Sequence, residues 1–400
     1  MRILLVHNHY RSDSPSGEGR VVDLEGEMLA RRGHRLETFF THSDELAAAG
    51  WRGTLRGALG TPWNPFAARR LRQMAERFRP HVIHVHNTFP RLSPAIFPAL
   101  CGLGARVLTL HNYRLFCAAG VPLRRGRPCY DCLDRRSVLP ALRHRCYRGG
   151  LAATLPPAMA IALHRRTGTW HRQVEGFIVL SEHQRRRMEE AGLPAARLHV
   201  KPHFFPRPGA GPLPWKERAE RALYVGRLSA EKGVESLVEA WLAWGERAPE
   251  LHIYGDGPLR GPLEARVLAA GVRAIRFHGQ QSRETVLAAL GDARLLVLPS
   301  ICPETFGMAV IEAFAHATPV AAARVDPLPS LVRDGENGLL FAPGDPQDLL
   351  ATVRRAWHDG ERLERLGRSA RRDYERCYDE EANYRMLMAI YGRALAERVA

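Results

Sequence analysis

Two glutamates eight positions apart, Glu304 and Glu312, lie in a stretch from Pro299 to Pro319 whose residue types read as a strand running into a helix. Residues 294–298 are short and apolar, as a buried parallel strand is, and Pro299 and Pro303 end them before residues 306–317 read as helix. Glu304 then falls in the turn and Glu312 well inside the helix. Eight helical residues rise about 12 Å, so the two carboxylates suit an elongated, polyhydroxylated ligand. The backbone N–H groups of Phe306, Gly307 and Met308 at the helix start offer unpaired donors and partial positive charge, which favour phosphate. Gly307 has no side chain to block the approach. The same residues would equally make a surface turn and an amphipathic helix carrying two unrelated acids.

Other groups with chemical potential recur where a strand gives way to a loop. Gly226-Arg-Leu-Ser-Ala-Glu-Lys-Gly233 carries Arg227 and Lys232, spaced to flank a helix start and clamp a diphosphate, or to be two solvated cations on a loop. Lys232 is one of only three lysines, with Lys201 and Lys216. Ser16-Gly-Glu-Gly19 follows the first strand-like run and permits close backbone approach to an anion, or is a flexible surface loop. His86 and His111 end two strand-like runs and are followed by Asn87 and Asn112, which makes a polar floor, with His111 offering a donor or acceptor to a hydroxyl; ordinary structural histidines are the alternative. Cys117, Cys129, Cys132 and Cys146 gather four of the seven cysteines around a Cys-x-x-Cys. Such a set suits tetrahedral zinc, or is four buried free thiols, and the surrounding arginines favour thiolates. Disulfides are not expected in a cytosolic chain.

The elements that would position these groups alternate between strand and helix. Strand-like runs at 3–7, 34–40, 81–86, 106–111, 177–181 and 198–201, with helical patterns at 21–32 and 66–78, predict a doubly wound parallel sheet. A Pro- and Gly-rich segment at 206–214 punctuates the chain, and a second series follows at 223–226, 251–254, 275–277, 295–298, 320–323 and 339–341. The expected organisation is a first Rossmann-like domain at 1–207 with a cysteine-rich insertion at about 113–150, a linker at 208–219, and a second Rossmann-like domain at 220–400. The final helix, near 380–398, is expected to pack back on the first domain. Open α/β sheets bind ligands at the carboxyl ends of their strands, where the motifs fall.

Four hundred residues are enough for two hydrophobic cores. Residues 1–207 hold 33 Lys and Arg against 15 Asp and Glu, and the remainder 25 against 27, so the net charge of +16 belongs to the first half. That asymmetry points toward phosphate, an anionic membrane surface or nucleic acid, while the near-total use of Arg among the cations would equally follow from a compositional bias. The apolar start is too short for a signal peptide, and no run approaches the roughly 20 apolar residues of a membrane span. A cytoplasmic chain, peripheral at most at the inner face of the cell membrane, is expected.

With these residues assembled, the chain resembles the retaining glycosyltransferases of the GT-B fold in family four, the bacterial group 1 glycosyltransferases. The resemblance rests on Glu304 to Glu312 within Pro-Glu-Thr-Phe-Gly-Met-Ala-Val-Ile-Glu-Ala, the Gly226 to Gly233 block, Gly255-Asp-Gly-Pro258 and Asn337-Gly-Leu339, all in the family's order. It implies a hexosyl-type transfer from a UDP- or GDP-sugar to an acceptor hydroxyl, with retention and without a catalytic metal or cofactor. Glu304 would bind hydroxyls of the donor sugar beside the amides of Phe306, Gly307 and Met308, and Glu312 the ribose. Arg227 and Lys232 would meet the diphosphate, Gly17 would approach the donor, and His111 would contact the transferred sugar. Glu18, His86, Asn87 and Asn112 are left to the acceptor side, where the partner is a glycan, a lipid-linked saccharide or a small metabolite. The chain departs from the family in having Gly17-Glu18 for Gly-Gly, Asn112 for Asp, and His203 for Asn. Two other classes share some of these features: a GT-B nucleotide-sugar epimerase, and a zinc-bearing nucleic-acid binder, which lacks a recognition helix and leaves the second-half motifs unexplained.

Overall fold

The computed structural model describes residues 1–10, 17–209 and 211–399. The chain divides into two compact units, one formed by Met1–Arg124, Cys129–His203 and Asn383–Ala400, the other by Arg125–Pro128 and Phe204–Ala382. Each unit is built on a six-stranded parallel sheet.

In the first unit the strands are β1 (Arg2–His9), β2 (Arg35–His42), β3 (Val82–Asn87), β4 (Ala105–Thr109), β5 (Gly176–Val179) and β6 (Leu198–Val200), in the order β2-β1-β3-β4-β5-β6. β3, β4 and β5 are buried along their whole length as strands covered on both faces, β5 as an apolar run and β3 and β4 with His84, His86, Asn87, Arg106 and Thr109 among their buried residues. The strand order reverses between β1 and β3. Helix α1 (Gly17–Arg31) connects β1 to β2 and buries Val21, Leu24, Glu25, Met28 and Leu29 along one face. Helices α2 (Gly50–Gly60) and α3 (Pro65–Phe78) precede β3; the Asn64 side chain caps α3 by accepting from the Ala67 N–H, with Pro65 at the first helical position.

The second unit runs β7 (Ala219–Val225), β8 (Glu250–Tyr254), β9 (Ile275–Gly279), β10 (Ala293–Leu298), β11 (Val320–Ala323) and β12 (Gly338–Phe341), in the order β9-β8-β7-β10-β11-β12. Its reversal lies between β7 and β10, the doubly wound arrangement whose ligand crevice opens at that point.

Several elements depart from the sequence reading. Residues 17–19 belong to the first turn of α1, and Ser16 of the proposed anion loop lies outside the described residues. Residues 151–166, to which the sequence reading assigned no element, form one continuous helix, α4 (Leu151–Arg166), with Pro156 and Pro157 inside it. Phe204 and Phe205 already belong to the second unit, because the Phe205 N–H donates to the Tyr378 carbonyl at 3.0 Å and the Tyr374 hydroxyl to the Phe205 carbonyl at 3.0 Å. The end of the expected linker is likewise anchored: Arg218 is buried and donates to the carbonyls of Leu213, Ala293, His316 and Ala317. The last helix, α7 (Glu380–Val399), belongs to the first unit from Asn383 onward. No helix among the described residues is long and apolar enough to cross a membrane.

Candidate functional site

At the reversal of the second sheet, the loops leaving β7 and β10 touch backbone to backbone. Gly233 has φ +65°, and a Cβ there would lie 2.0 Å from the Pro299 carbonyl oxygen, so only glycine permits the approach. The Ile301 N–H donates to the Glu231 carbonyl across the same junction at 3.1 Å. A third loop closes in behind, where a Cβ on Gly255 would meet the Gly226 carbonyl oxygen at 1.9 Å.

This packing sets Lys232 against Glu304. The lysine Nζ donates to Glu304 Oε1 at 2.7 Å, and Ser300 Oγ donates to the same oxygen at 2.6 Å. Burial pushes the Glu304 carboxyl up, but Lys232 and Ser300 outweigh it and hold the pKa below the usual value, so the group is ionised at neutral pH. For Lys232, burial is outweighed by Glu304 and the ammonium is raised. No hydrogen bond to Glu304 Oε2 is formed among the described residues, which leaves its lone pairs for a ligand. The side chain of Arg227 is exposed and makes no ion pair among the described residues.

Helix α6 (Met308–Ala315) starts two residues later than the sequence predicts, because Gly307 is its N-cap with φ +112°. Only four residues of helical rise, about 6 Å, therefore separate its start from Glu312. Gly307 answers to conformation and packing as much as to ligand approach, since a Cβ there would press on Leu328 and Leu331 at 3.1 and 3.3 Å. Phe306 is buried against the Tyr378 ring. Glu312 is 7 % exposed and accepts from Arg283 Nη2 at 2.6 Å. Burial raises its pKa, with Arg283 opposing. Arg283 opens helix α5 (Arg283–Asp292) behind the Ser282 cap. Sequence reasoning missed both Arg283 and Ser300; a capping serine followed by a cation was the only local sign of the first.

In the first unit, His86 and His111 do meet: His86 Nδ1 and His111 Nε2 are 3.0 Å apart, and both line a cavity of about 60 Å³. Behind them is a buried polar cluster that the sequence reading missed. Glu25 Oε1 stands 3.0 Å from His84 Nδ1 and 3.5 Å from His86 Nε2, and Lys201 Nζ stands 3.0 Å from Glu25 Oε2 and donates to Asn383 Oδ1 at 3.0 Å. Burial raises the Glu25 carboxyl, yet Lys201 and His84 hold it well below the usual range. Burial, with neighbouring histidines, keeps His86 and His111 neutral. His203 stacks on His111 with ring centres 5.2 Å apart. Asn87 and Asn112 serve their own turns, each accepting from the N–H two residues on, at Phe89 and Arg114.

Glu18 is partly buried, its side chain 10 % exposed with Oε1 3.8 Å from His7 Nδ1, and desolvation pushes its pKa up to about 8 against the opposing pull of Arg114. From about pH 4.5 to 8 the folded chain thus holds a proton that the unfolded chain has lost, so this group makes stability fall as pH rises through that window. Glu18→Gln is expected to flatten the fall, as urea midpoints across the pH series would report.

Cys117, Cys129, Cys132 and Cys146 line one small cavity together with Arg124, Asp131 and His144, and all four thiols are free. Burial raises the thiol of Cys132 to about 12 and raises those of Cys117 and Cys146, opposite to the expected thiolates. The set of three ligand atoms within 4.8 Å of one another among the described residues is Glu25, His84 and His86; the cysteines form no such set.

Residues 15–206 match the family profile described as Glycosyltransferase Family 4, and residues 211–373 that described as Glycosyl transferases group 1. Among curated proteins, the sulfoquinovosyl transferase SQD2 of Arabidopsis thaliana is 34 % identical over 165 residues, covering 40 % of this chain and 31 % of its own. The chain spans less than half the length of the curated relatives it matches. Among solved structures, sucrose-phosphate synthase from Thermosynechococcus elongatus superposes with a TM-score of 0.68 at 18 % identity, over 99 % of each chain. Anabaena HepE in complex with UDP superposes with a TM-score of 0.66 at 18 % identity, over 98 % of this chain and 100 % of that one.

Proposed function

The chain is a GT-B protein of the family 4, group 1 glycosyltransferase kind, and from that premise we propose that it moves a sugar from a UDP- or GDP-sugar to an acceptor hydroxyl with retention. The observation that carries this reading is the Glu304 carboxylate, with one oxygen engaged by Lys232 and Ser300 and the other open at the strand reversal. An ionised acceptor with free lone pairs is what paired sugar hydroxyls require. UDP in the similarly folded HepE supports a nucleotide donor.

Glu304 takes hydroxyls of the donor sugar and Glu312 takes the ribose. Lys232 and Arg227, with the start of α6, meet the negative charge that grows on the leaving diphosphate, a task needing no catalytic metal. The bond from the anomeric carbon to the phosphate oxygen breaks, the bond to the acceptor oxygen forms on the same face, and the acceptor proton passes to the leaving oxygen. On this reading His111 acts as a hydrogen-bond acceptor: His86, with Nε2–H on the side of the Glu25 carboxylate at 3.5 Å, receives the His111 Nε2–H on Nδ1, leaving His111 Nδ1 for a sugar hydroxyl. Nucleoside diphosphate release from a panel of nucleotide sugars tests the reading; it requires release that depends on an added hydroxyl acceptor. Epimer formation without acceptor would favour the epimerase instead.

Glu312→Ala is expected to weaken nucleoside diphosphate binding by roughly 10- to 100-fold, the effect of losing a charged hydrogen bond worth about 1.5–3 kcal/mol. Calorimetry measures this, and an equal loss in Glu304→Ala would remove the division of roles. The four cysteines are assigned one structural zinc, reached by closing their sulfurs around the shared cavity. Elemental analysis is expected to give about one zinc per chain; four freely titrating thiols and no zinc would end that assignment.

A further inference from the structure

Among the described residues, nine of the thirteen exposed large apolar side chains lie in two stretches of the first unit, residues 51–66 and 139–159. On α2, Trp51, Leu55 and Leu59 recur at every fourth position and are 72, 50 and 71 % exposed. On α4, Leu151, Leu155 and Met159 repeat the spacing and are also exposed. Residues four apart share a helix face, so each helix turns an apolar stripe outward. Phe66, at the start of α3, is 81 % exposed. The stretches are fastened together: the Trp63 ring stacks on His164 with centres 5.6 Å apart, and His164 Nε2 lies 3.0 Å from the Pro62 carbonyl oxygen.

The charge around these stripes identifies what covers them. Residues 46–75 contain five arginines and no acid, and residues 135–174 contain eight arginines and no acid. A second copy of the chain would bring the same uncompensated arginines against themselves. Apolar stripes with Trp and Leu, interspersed with arginines and with acids at the margins of the first stretch (Asp44, Glu45 and Glu76), fit a bilayer with anionic headgroups, where side chains enter the interface and arginines meet lipid phosphate. We propose that the face formed by α2, the start of α3 and α4 seats the protein on an anionic lipid surface.

The position of this face bears on the acceptor. Thr61 after α2, and Pro157, Ala160 and Ile161 of α4, line the same cavity as His86 and His111. The helix that meets the lipid thus also walls the pocket assigned to sugar chemistry. On the glycosyltransferase reading, an acceptor hydroxyl borne on a membrane amphiphile reaches that pocket without leaving the interface.

The test is flotation of the full chain with vesicles of phosphatidylcholine alone and with added phosphatidylglycerol, in the absence of any sugar nucleotide, so it is independent of the proposed reaction. The chain is expected to float with anionic vesicles, to do so less as salt shortens the Debye length below about 8 Å, and to shift its tryptophan emission to the blue. The exposed triple variant Trp51→Ser, Leu55→Ser, Leu59→Ser is expected to lower the partition coefficient at least tenfold with an unchanged urea midpoint. Arg52→Gln with Arg56→Gln is expected to remove part of the anionic preference. Failure to float, equal flotation of the triple variant, or a wild-type dimer that the triple variant makes monomeric would overturn the proposal.

Discussion

Lys201→Met is expected to destabilise the first unit by about 3–5 kcal/mol at neutral pH, the usual effect of removing one partner from a buried ion pair. Lys201 and Glu25 are 2 and 1 % exposed, and the Lys201 ammonium stands 3.0 Å from Glu25 Oε2. Methionine fills the volume of the lysine stem but leaves the carboxylate in a low-dielectric core. The pH dependence has a definite sign. In the wild type the depressed Glu25 pKa contributes stability that is fully present above the usual 4.5 and fades as pH falls through the folded value. In the variant that contribution is gone, so the gap between the two proteins is widest above about pH 5 and narrows in acid. Replacing Glu25 with methionine in the same chain is expected to recover most of the loss, because an apolar pair of similar volume carries no uncompensated charge. Urea denaturation at several pH values measures all three proteins.

Glu304→Ala is expected to lower turnover roughly 10- to 100-fold while nucleoside diphosphate affinity changes by no more than about threefold, the lost interaction being worth about 1.5–3 kcal/mol. The asymmetry follows from the geometry. Glu304 Oε1 is held by Lys232 and Ser300, and the sugar is assigned to Oε2, so the substitution removes hydroxyl contacts and releases Lys232 with its charge intact. On the proposed reading a freed Lys232 still faces phosphate, so the nucleotide is expected to be retained. Steady-state kinetics with calorimetry separates the two quantities, and a parallel loss of both would place Glu304 on the nucleotide.

The placement of the second sheet's candidate residues was legible in sequence because it is local. Lys232, Glu304 and Glu312 each sit within a few residues of a strand end, and the glycines that bring the loops together are part of the same short motifs. What the sequence did not disclose is the contact itself: Lys232 and Glu304, assigned to separate parts of a ligand, pair directly across 72 positions. Arg283 stayed hidden for the same reason, since its partner Glu312 lies on another helix. In the first unit the start of α1 was misplaced because Gly-Glu-Gly has low helix propensity, yet tertiary packing extends the helix through it. The Glu25 cluster left a readable sign. Glu25 stands four residues after Val21 and three before Met28, on the apolar stripe, where an acid requires a buried partner. That the partners would be Lys201 and two strand histidines depends on long-range pairing, to which periodicity is blind. Cysteine spacing reads as a zinc set or four free thiols; the four thiols share one cavity, but their sulfurs form no set of ligand atoms within 4.8 Å of one another among the described residues.

Binding of a nucleotide sugar is tested by a thermal-shift comparison of the full chain with nucleosides, nucleoside diphosphates and nucleotide sugars. At 100 times its dissociation constant a bound ligand stabilises the folded state by about 2.7 kcal/mol. UDP or GDP and a sugar conjugate of the same base are expected to raise the unfolding midpoint, and the free nucleoside is not. Stabilisation by none of them, or equally by the nucleoside, would contradict the proposed function.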